Sequence, residues 1–266
     1  MSSSAGRWSI HVVAWNEVAA LSDFLSSVDQ QEGWSGQVIV MDNASTMGVS
    51  AWLAGHWPDV IALRNFRDMG WARAHNQAMA LALSRWPKDV WADRFVAFTH
   101  PDVLWEPHAL KRLEEAFAQD KNLMMTGPKV LRARASFAED GEQREVEFTD
   151  VLESVGWVRK HWKQRPLGQG ETDKGQHDGV TSLPSPVCCV VRASALPALQ
   201  ANGKWFEEKM DERQNAEAFF RRGKRLGYVM RTVPDAVIWH HAHGAEALDK
   251  SGLLDYKRWY RILKNG

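Results

Sequence analysis

Residues 98–106 read Phe-Thr-His-Pro-Asp-Val-Leu-Trp-Glu, and this stretch decides how the rest of the chain is interpreted. A run of Val, Phe and Ala at 95–98 predicts a buried strand that stops at His100-Pro101-Asp102. The Asp102 carboxylate would then lie at the carboxyl edge of a sheet, where open α/β sheets bind their ligands. Such a carboxylate is a natural ligand for Mg²⁺ or Mn²⁺, which in turn holds phosphate. The alternative is a surface turn in which Asp102 caps the next helix.

Apolar strands and amphipathic helices alternate around this stretch. The pattern predicts strands at 8–14, 37–41, 59–63 and 91–99, and helices after Asn16 and at 49–56, 72–84 and 107–119. Asn16 is expected to cap the first helix. This alternation favours an α/β fold with a mostly parallel, Rossmann-like sheet and helices on both faces, so that the loops after Ala14, Met41 and Thr99 meet at one edge. The sequence contains neither a dinucleotide-binding glycine fingerprint nor a P-loop.

The second half of the chain is less regular. It is expected to contain strands at 123–130, 186–192 and 233–239 and helices at 193–200, 213–226 and 253–263. Pro128 suggests that the first of these strands lies at an edge or bends. Residues 133–182 are polar and poorly periodic, and we interpret them as an excursion of loops with a hairpin.

Composition excludes several classes of protein. The 266 residues carry 33 basic and 33 acidic side chains, so the chain has no net field that would attract nucleic acid. The two cysteines, Cys188 and Cys189, are adjacent and are not expected to pair, which fits a reducing, cytoplasmic compartment. We expect no secretion signal, and no apolar run reaches the ~20 residues that a membrane span requires.

The order of the motifs resembles that of family 2 glycosyltransferases with the GT-A fold, nearest the rhamnosyltransferase-like members. Residues 12–16 and 38–46 are similar to the family's "V-V-x-Y-N" and "V-V-D-N-x-S-x-D" stretches, 65–76 to "N-x-x-N-x-G-F-A-x-A-x-N", and 100–103 to "N-P-D-V". In the second half, 205–208 with 222–228 resemble "G-F-D-E…R-x-x-x-x-G-Y", and 234–240 resemble "P-x-A-x-V-x-H". The resemblance covers nearly the whole chain.

The resemblance implies a donor site, a metal and a reaction. Mg²⁺ or Mn²⁺ would be held by Asp102 and His240, and a UDP-, dTDP- or GDP-sugar would give its sugar, with inversion, to a glycan or lipid-linked acceptor in cell-surface polysaccharide synthesis. Residues 15–17 would line the base, Asp42 would bond the base or ribose, and other residues would frame the ribose, diphosphate or sugar. The implied donor-binding residues are Trp15, Asn16, Glu17, Asp42, Asn43, Ser45, Asn65, Gly70, Asn76, His100 and Asp102.

The general base of the family is missing from its expected position. The final Glu-Asp of the family's "F-D-E-x-F-F-x-Y-x-E-D" pattern falls on Asn215-Ala216, and neither residue accepts a proton usefully at neutral pH. The candidates for the base are Glu217, Asp211 and Glu212. The alternative is a nucleotide-sugar-binding protein that is weakly active or inactive. A nucleotidyltransferase is disfavoured, because residues 14–20 contain no glycine-rich basic loop.

The resemblance also suggests how one GT-A domain is divided. Residues 1–122 would form the nucleotide-sugar-binding half, 123–244 the acceptor-side half, and 245–266 a helical tail. The tail mixes aromatic and basic residues, which fits peripheral contact with the inner face of a membrane that carries the acceptor, although docking on the core explains it equally. Trp157 and Trp162 in the excursion are candidates for stacking on an acceptor sugar or for filling the core.

Overall fold

The computed structural model describes residues 6–137, 144–160, 163–175, 177 and 183–241. Within those ranges the α-helices are α1 (Val18–Asp29), α2 (Val49–His56), α3 (Gly70–Ser84), α4 (Ala109–Gln119) and α5 (Glu212–Arg225). The strands are β1 (Trp8–Ala14), β2 (Gly36–Asn43), β3 (Ile61–Asn65), β4 (Phe95–Thr99), β5 (Val103–Trp105), β6 (Leu123–Phe137), β7 (Arg144–Ser154), β8 (Trp157–Lys160), β9 (Lys163–Pro166), β10 (Cys188–Arg192) and β11 (Val229–His240). None of the described helices is long and apolar enough to cross a membrane.

The first half folds as the expected parallel sheet. The order β3-β2-β1-β4 is joined by parallel pairs, and the registers Ala14↔Asp42 and Asn43↔Asn65 bring the ends of three strands to one level. Alternate residues of each strand point to opposite faces, so Ile10 packs with α1 and α4 while Ile39 packs with α3 and α5. The sheet is therefore buried by helices on both faces, which explains why its strands are almost continuously apolar.

The second half of the sheet is mixed. The order continues β4-β10-β6-β11-β5, in which β10 is antiparallel to both neighbours, β11 is parallel to β6, and β5 is antiparallel to β11. β7 adds to β6, and β8 pairs with β9 as a separate hairpin. The hairpin expected in the 133–182 excursion is present as β8–β9, and the described part of the excursion also contains β7 and the end of β6.

Several predicted elements differ from those in the structure. The strand expected at 91–99 begins at Phe95, after a 3₁₀ helix at Lys88–Asp93. The helix expected at 193–200 is two 3₁₀ turns, Ala193–Ala195 and Pro197–Leu199, because a proline cannot donate the backbone hydrogen bond of a continuous helix. Of the two alternatives for Pro128, an edge position is wrong, because β6 lies between β10 and β11. The other alternative, a local irregularity, agrees with the shift of the β11 register between Val233 and Val237 at this residue.

Asn16 does not cap α1. Glu17 occupies the N-cap position without a side-chain hydrogen bond, and Asn16 adopts a left-handed conformation (φ 60°). The missed strand β5 follows directly after Asp102, and β11 extends to His240 instead of Trp239. The helix expected at 253–263 and the candidate stacking residue Trp162 lie outside the described residues.

Candidate functional site

Strand pairing places Asp102 beside the end of β11. Asp102 lies in the turn between β4 and β5, and β5 pairs with β11 in the register Val103↔His240. The backbone N–H of His241 donates to the carbonyl of Asp102 at 3.0 Å, which fastens the turn. Two motifs that lie far apart in the sequence therefore meet because the β5–β11 pairing and this hydrogen bond hold them together.

Three side chains converge at this turn. Asp102 Oδ1 lies 3.4 Å from His240 Nε2 and 3.9 Å from His100 Nδ1, and the three candidate ligand atoms all lie within 4.8 Å of one another. The side chain of Asp102 is 12% exposed and that of His240 is 10% exposed. Two imidazoles and a carboxylate around one point are a donor set that fits a divalent cation. The expected pair Asp102 and His240 is thus joined by His100, which the sequence placed only with the donor.

Two further carboxylates hold the outer nitrogens of the histidines. His240 Nδ1 lies 2.9 Å from Glu153 Oε2, and His100 Nε2 lies 2.5 Å from Glu212 Oε1. Burial alone would lower the pKa of His240, but hydrogen bonds to Asp102 and Glu153 outweigh it and raise the pKa to about 10. Burial likewise opposes protonation of His100, whose pKa is nevertheless raised by its bond to Glu212. In the metal-free protein the histidines therefore neutralise the carboxylates around them.

Glu17 belongs to the same electrostatic group. Burial raises the pKa of the Glu17 carboxyl to about 7, and the negative charge of Asp102 adds to the rise, while His100 and a backbone hydrogen bond at Trp15 oppose it. The resemblance implied that Glu17 lines the nucleotide base, and this stays a prediction. In the structure, the charge of Glu17 interacts with Asp102 and His100. Its neighbour Trp15 is 52% exposed at the same edge, and its contact with a base stays a prediction.

The loops after β1 and β2 are tied to each other. Asn16 N donates to Ser45 Oγ at 3.0 Å, and Asn16 Oδ1 accepts from the backbone of Thr46 (2.8 Å) and Met47 (3.0 Å). Because these bonds occupy its Oδ1, Asn16 does not cap the N-terminus of α1. These bonds fix the edge on which the base-lining residues were expected.

The side chain of Asp42 holds the loop after β2 in place. Its buried carboxylate accepts from Ser45 N (2.9 Å), Ser50 Oγ (2.5 Å) and Arg64 Nη1 (2.9 Å). Burial would raise the pKa of Asp42, but the hydrogen bonds from the two serines and the charge of Arg64 lower it. Three of the carboxylate's roughly four acceptor positions are filled by the protein. A bond from Asp42 to a base or ribose stays a prediction that uses the remaining position.

Asn43 organises the loop before α3. Asn43 Oδ1 accepts from Met69 N at 3.0 Å and from Asn65 Nδ2 at 3.2 Å, and its amide donates to Asp68. Asp68 in turn accepts from Gly70 N at 2.8 Å, and Gly70 has a φ of 74°, which only glycine adopts readily. Asn43, Asn65 and Gly70 therefore act here as one hydrogen-bonded unit. Their contact with the donor stays a prediction.

Asn76 and Asn215 both hold the 205–211 segment in place. Asn76 Oδ1 accepts from the backbone of Trp205 (3.1 Å) and Phe206 (3.0 Å), and its amide donates to the carbonyl of Phe206 at 2.8 Å. Asn215 accepts from Glu207 N at 2.7 Å and donates to the carbonyl of Glu207 at 3.0 Å. The position where the family's acid was expected thus carries a buried asparagine that stabilises a loop, and the next residue, Ala216, is also buried.

The three candidate bases on α5 have different environments. Asp211 is the N-cap residue and forms a capping box with Gln214. Glu217 lies 3.3 Å from Arg213, whose guanidinium stacks on the ring of Trp157 at 5.3 Å. Glu212 contacts His100 and is therefore joined through it to the Asp102 turn. Of the three acids, the structure brings Glu212 to the candidate metal centre.

Sequence reasoning missed Glu153 as a site residue. It lies on β7, in the region that we interpreted as loops, and reaches His240 across β6. The alternation of Val146, Phe148 and Leu152 could have predicted the strand, but no spacing in the sequence links Glu153 to His240.

Comparison with known proteins gives the site a context. A family model described as "Glycosyl transferase family 2" matches residues 9–197. The N-acetylglucosaminyl-diphospho-decaprenol L-rhamnosyltransferases of two Mycobacterium tuberculosis strains (CDC 1551 / Oshkosh and ATCC 25618 / H37Rv) are each 25% identical over 244 residues, covering 88% of this chain and 76% of theirs. The segment matched by the family model contains Asp42 and Asp102 but ends before α5 and β11.

Solved structures confirm the GT-A type of α/β fold. S. aureus TarS 1-349 in complex with UDP superposes with a TM-score of 0.55 at 16% identity, covering 89% of this chain. The mannosyltransferase PcManGT from Pyrobaculum calidifontis, in complex with GDP-Man and Mn²⁺, also gives 0.55, at 18% identity and 92% coverage. The chain spans 60% of the length of each of these two structures.

Proposed function

Because the chain belongs to glycosyl transferase family 2, we propose that it transfers a sugar from a nucleotide-diphosphate donor to a glycan or lipid-linked acceptor. The observation that carries the proposal is the convergence of His100, Asp102 and His240 at the carboxyl edge of the sheet, beside the loops that follow β1 and β2. That edge is where a nucleotide binds in open α/β folds.

The three converging side chains would hold a divalent cation. When bound there, the cation would neutralise the diphosphate leaving group. The low exposure of Asp102 and His240 limits competition from water, so their charges and dipoles act more strongly than on an open surface. The Mn²⁺ bound to the mannosyltransferase PcManGT supports a metal in this type of fold but not its identity here.

Glu212 is the proposed general base. It lies one helical turn before Ala216, and residues at i and i+4 share a face of a helix. A glutamate at 212 can therefore reach the space that a carboxylate at 216 would have served. One carboxylate oxygen of Glu212 is held by His100, and the other would accept the proton of the acceptor hydroxyl, opposite the leaving group. Attack from that side gives inversion at the sugar.

The relatives support the class of substrate only coarsely. The mycobacterial relatives are named for a rhamnosyl group and an acceptor carried on decaprenyl diphosphate, which supports a lipid-linked acceptor. We further propose a role in cell-surface polysaccharide synthesis. We propose that residues 1–122 bind the donor and that 123–244 face the acceptor. We also propose that the protein is cytoplasmic and that its tail, residues 245–266, contacts the membrane.

Parallel replacement of two acids on α5 tests this assignment. Sugar transfer is measured from a panel of UDP-, GDP- and dTDP-sugars with Mn²⁺ to lipid-linked acceptors. Glu212→Gln should lower kcat by roughly 10²-fold or more and keep donor binding, whereas Glu217→Gln should retain activity. Loss of transfer in Glu217→Gln alone would refute the assignment of Glu212.

A catalytically inactive donor-binding protein is the second candidate function. It is favoured by the burial of Asn215 and Ala216 at the position where the family's acid was expected. This candidate predicts that a nucleotide-sugar binds with Mn²⁺ but that no donor in the panel is turned over. Transfer by the wild-type chain that Glu212→Gln abolishes would exclude it.

A further inference from the structure

We infer that the centre at His100, Asp102 and His240 selects transition ions such as Mn²⁺ and Co²⁺ over Mg²⁺, and that Glu153 orients His240 for this purpose. The inference rests on the proposed function only in that the same centre would serve the donor. It adds two points to the proposal, namely the class of ion and a positioning residue outside the recognised motifs.

Each of the two histidines turns one ring nitrogen toward Asp102 and the other toward a glutamate. His100 turns Nδ1 toward Asp102 and gives Nε2 to Glu212, while His240 turns Nε2 toward Asp102 and gives Nδ1 to Glu153. A metal ion would displace the second proton of each imidazole, and the N–H that the ring still donates to a carboxylate would leave the lone pair of its other nitrogen facing the metal. Two independent histidines, from separate parts of the sheet edge, share this arrangement around the same carboxylate.

The donor set determines the class of ion. Mg²⁺ prefers oxygen ligands and several retained waters, whereas imidazole nitrogen favours first-row transition ions. The resembling motif reads Asn at the first position of "N-P-D-V", and an asparagine supplies only an amide oxygen. His100 replaces that oxygen with a nitrogen, so two of three protein ligands are imidazoles. This substitution moves the preference of the centre away from Mg²⁺.

Glu153 is held against His240 by three adjacent strands. β6 pairs with β7 at Val130↔Ser154 and Leu131↔Leu152, so Glu153 lies at the register shift between these two pairs. β6 pairs with β11 at Leu131↔Trp239 and Arg132↔His240, which places His240 on the other side of the same stretch of β6. The carboxylate reaches over β6 to bond Nδ1. The excursion thus contributes to the metal centre, because without β7 the ring of His240 would lose the group that fixes its orientation.

The test measures metal binding to the full chain without nucleotide or acceptor. Competition between Mn²⁺ and Mg²⁺ is followed by electron paramagnetic resonance, and ¹⁴N couplings of bound Mn²⁺ count the histidine ligands. The wild type should bind Mn²⁺ at least about tenfold more tightly than Mg²⁺ and show two nitrogens. His100→Asn should show one nitrogen and lose most of this ratio.

Glu153 is tested against a glutamate on the same strand. Glu153→Ala should weaken Mn²⁺ binding about 10- to 100-fold and change the ¹⁴N coupling of His240, whereas Glu147→Ala, which is exposed and paired with Arg134, should do neither. Glu153→Gln keeps the size of the side chain and should fall between the two, which guards against a variant that fails to fold. Equal binding of the two ions by the wild type, or unchanged Mn²⁺ affinity in Glu153→Ala, would overturn the inference.

The outcome is separable from that of the proposed function. A chain that binds Mn²⁺ selectively but turns over no donor would retain this inference and contradict the proposed transfer. A chain that transfers sugar equally well with Mg²⁺ and Mn²⁺ would retain the proposed transfer and contradict this inference.

Discussion

Replacing Glu17 with glutamine should change how the free energy of unfolding depends on pH. The pKa of Glu17 is about 7 in the folded chain, chiefly because of burial, whereas its ordinary value is 4.5. The folded state therefore binds an extra proton between these two values. A raised carboxyl pKa makes the contribution of Glu17 to the free energy of unfolding largest at low pH, and this contribution is lost as the pH rises through the folded pKa.

The size of the effect follows from the two pKa values. One pKa unit corresponds to about 1.4 kcal/mol, so Glu17 alone should remove about 2.5 kcal/mol of stability between pH 5 and pH 8 in the metal-free protein. Glu17→Gln lacks this proton equilibrium. The difference in free energy of unfolding between the variant and the wild type should therefore shift by about 2.5 kcal/mol in favour of the variant from pH 5 to pH 8. For a chain of this size, this corresponds to roughly 5–10 °C in Tm.

Urea unfolding of both proteins at pH 5, 6, 7 and 8 in the presence of a chelator measures the difference directly. Glu115→Gln, on an unrelated helix, controls for the loss of a negative charge. A difference between Glu17→Gln and the wild type that stays constant from pH 5 to pH 8 would show that Glu17 is ionised normally, and would refute its placement in the electrostatic group of Asp102. Adding Mn²⁺ should reduce the difference, since the cation favours ionised Glu17.

Three further predictions concern the residues that hold the site in shape. Asn76→Ala removes three hydrogen bonds to the backbone of residues 205–206 and should cost about 2–4 kcal/mol in urea unfolding, while a cost below about 1 kcal/mol would contradict the anchoring role. Asn215→Ala should destabilise by a similar amount, about 2–4 kcal/mol, and a variant as stable as the wild type would show that the 205–211 segment does not depend on it. Asn16→Ala should be about 1 kcal/mol less stable than Asn16→Gly, because glycine adopts the left-handed conformation without strain, and equal stabilities would contradict that backbone assignment.

Local pattern was sufficient to predict that the first four strands form a parallel sheet, although β3 and β4 begin later than expected. β1 and α2 begin and end where the hydrophobic periodicity places them, because their residues are buried on faces that have the period of a strand or a helix. The antiparallel half was harder to predict. β5 has only three residues, and it forms because β11 lies alongside it, a contact that is distant in sequence.

The candidate site, too, could be predicted from local sequence only in part. Asp102 and His240 could be identified from motifs, and the structure brings them to 3.4 Å. The participation of Glu153 and the difference between Glu212 and Glu217 depend on which strands are neighbours and on where α5 begins, and neither follows from local sequence. Asp42 and Asn76 illustrate the opposite case, since both match donor-binding motifs while their polar atoms are bound to the protein itself.

Binding of nucleotides to the wild type and to Asp102→Asn tests the central claim most directly. Calorimetric titrations with UDP, GDP and dTDP are carried out with Mn²⁺ and again with a chelator, and circular dichroism confirms that the variant is folded. At least one nucleotide should bind the wild type in a Mn²⁺-dependent manner, and this binding should be lost in Asp102→Asn. Binding that is equally tight with the chelator, or that survives in Asp102→Asn, would contradict a metal-held donor at this edge of the sheet.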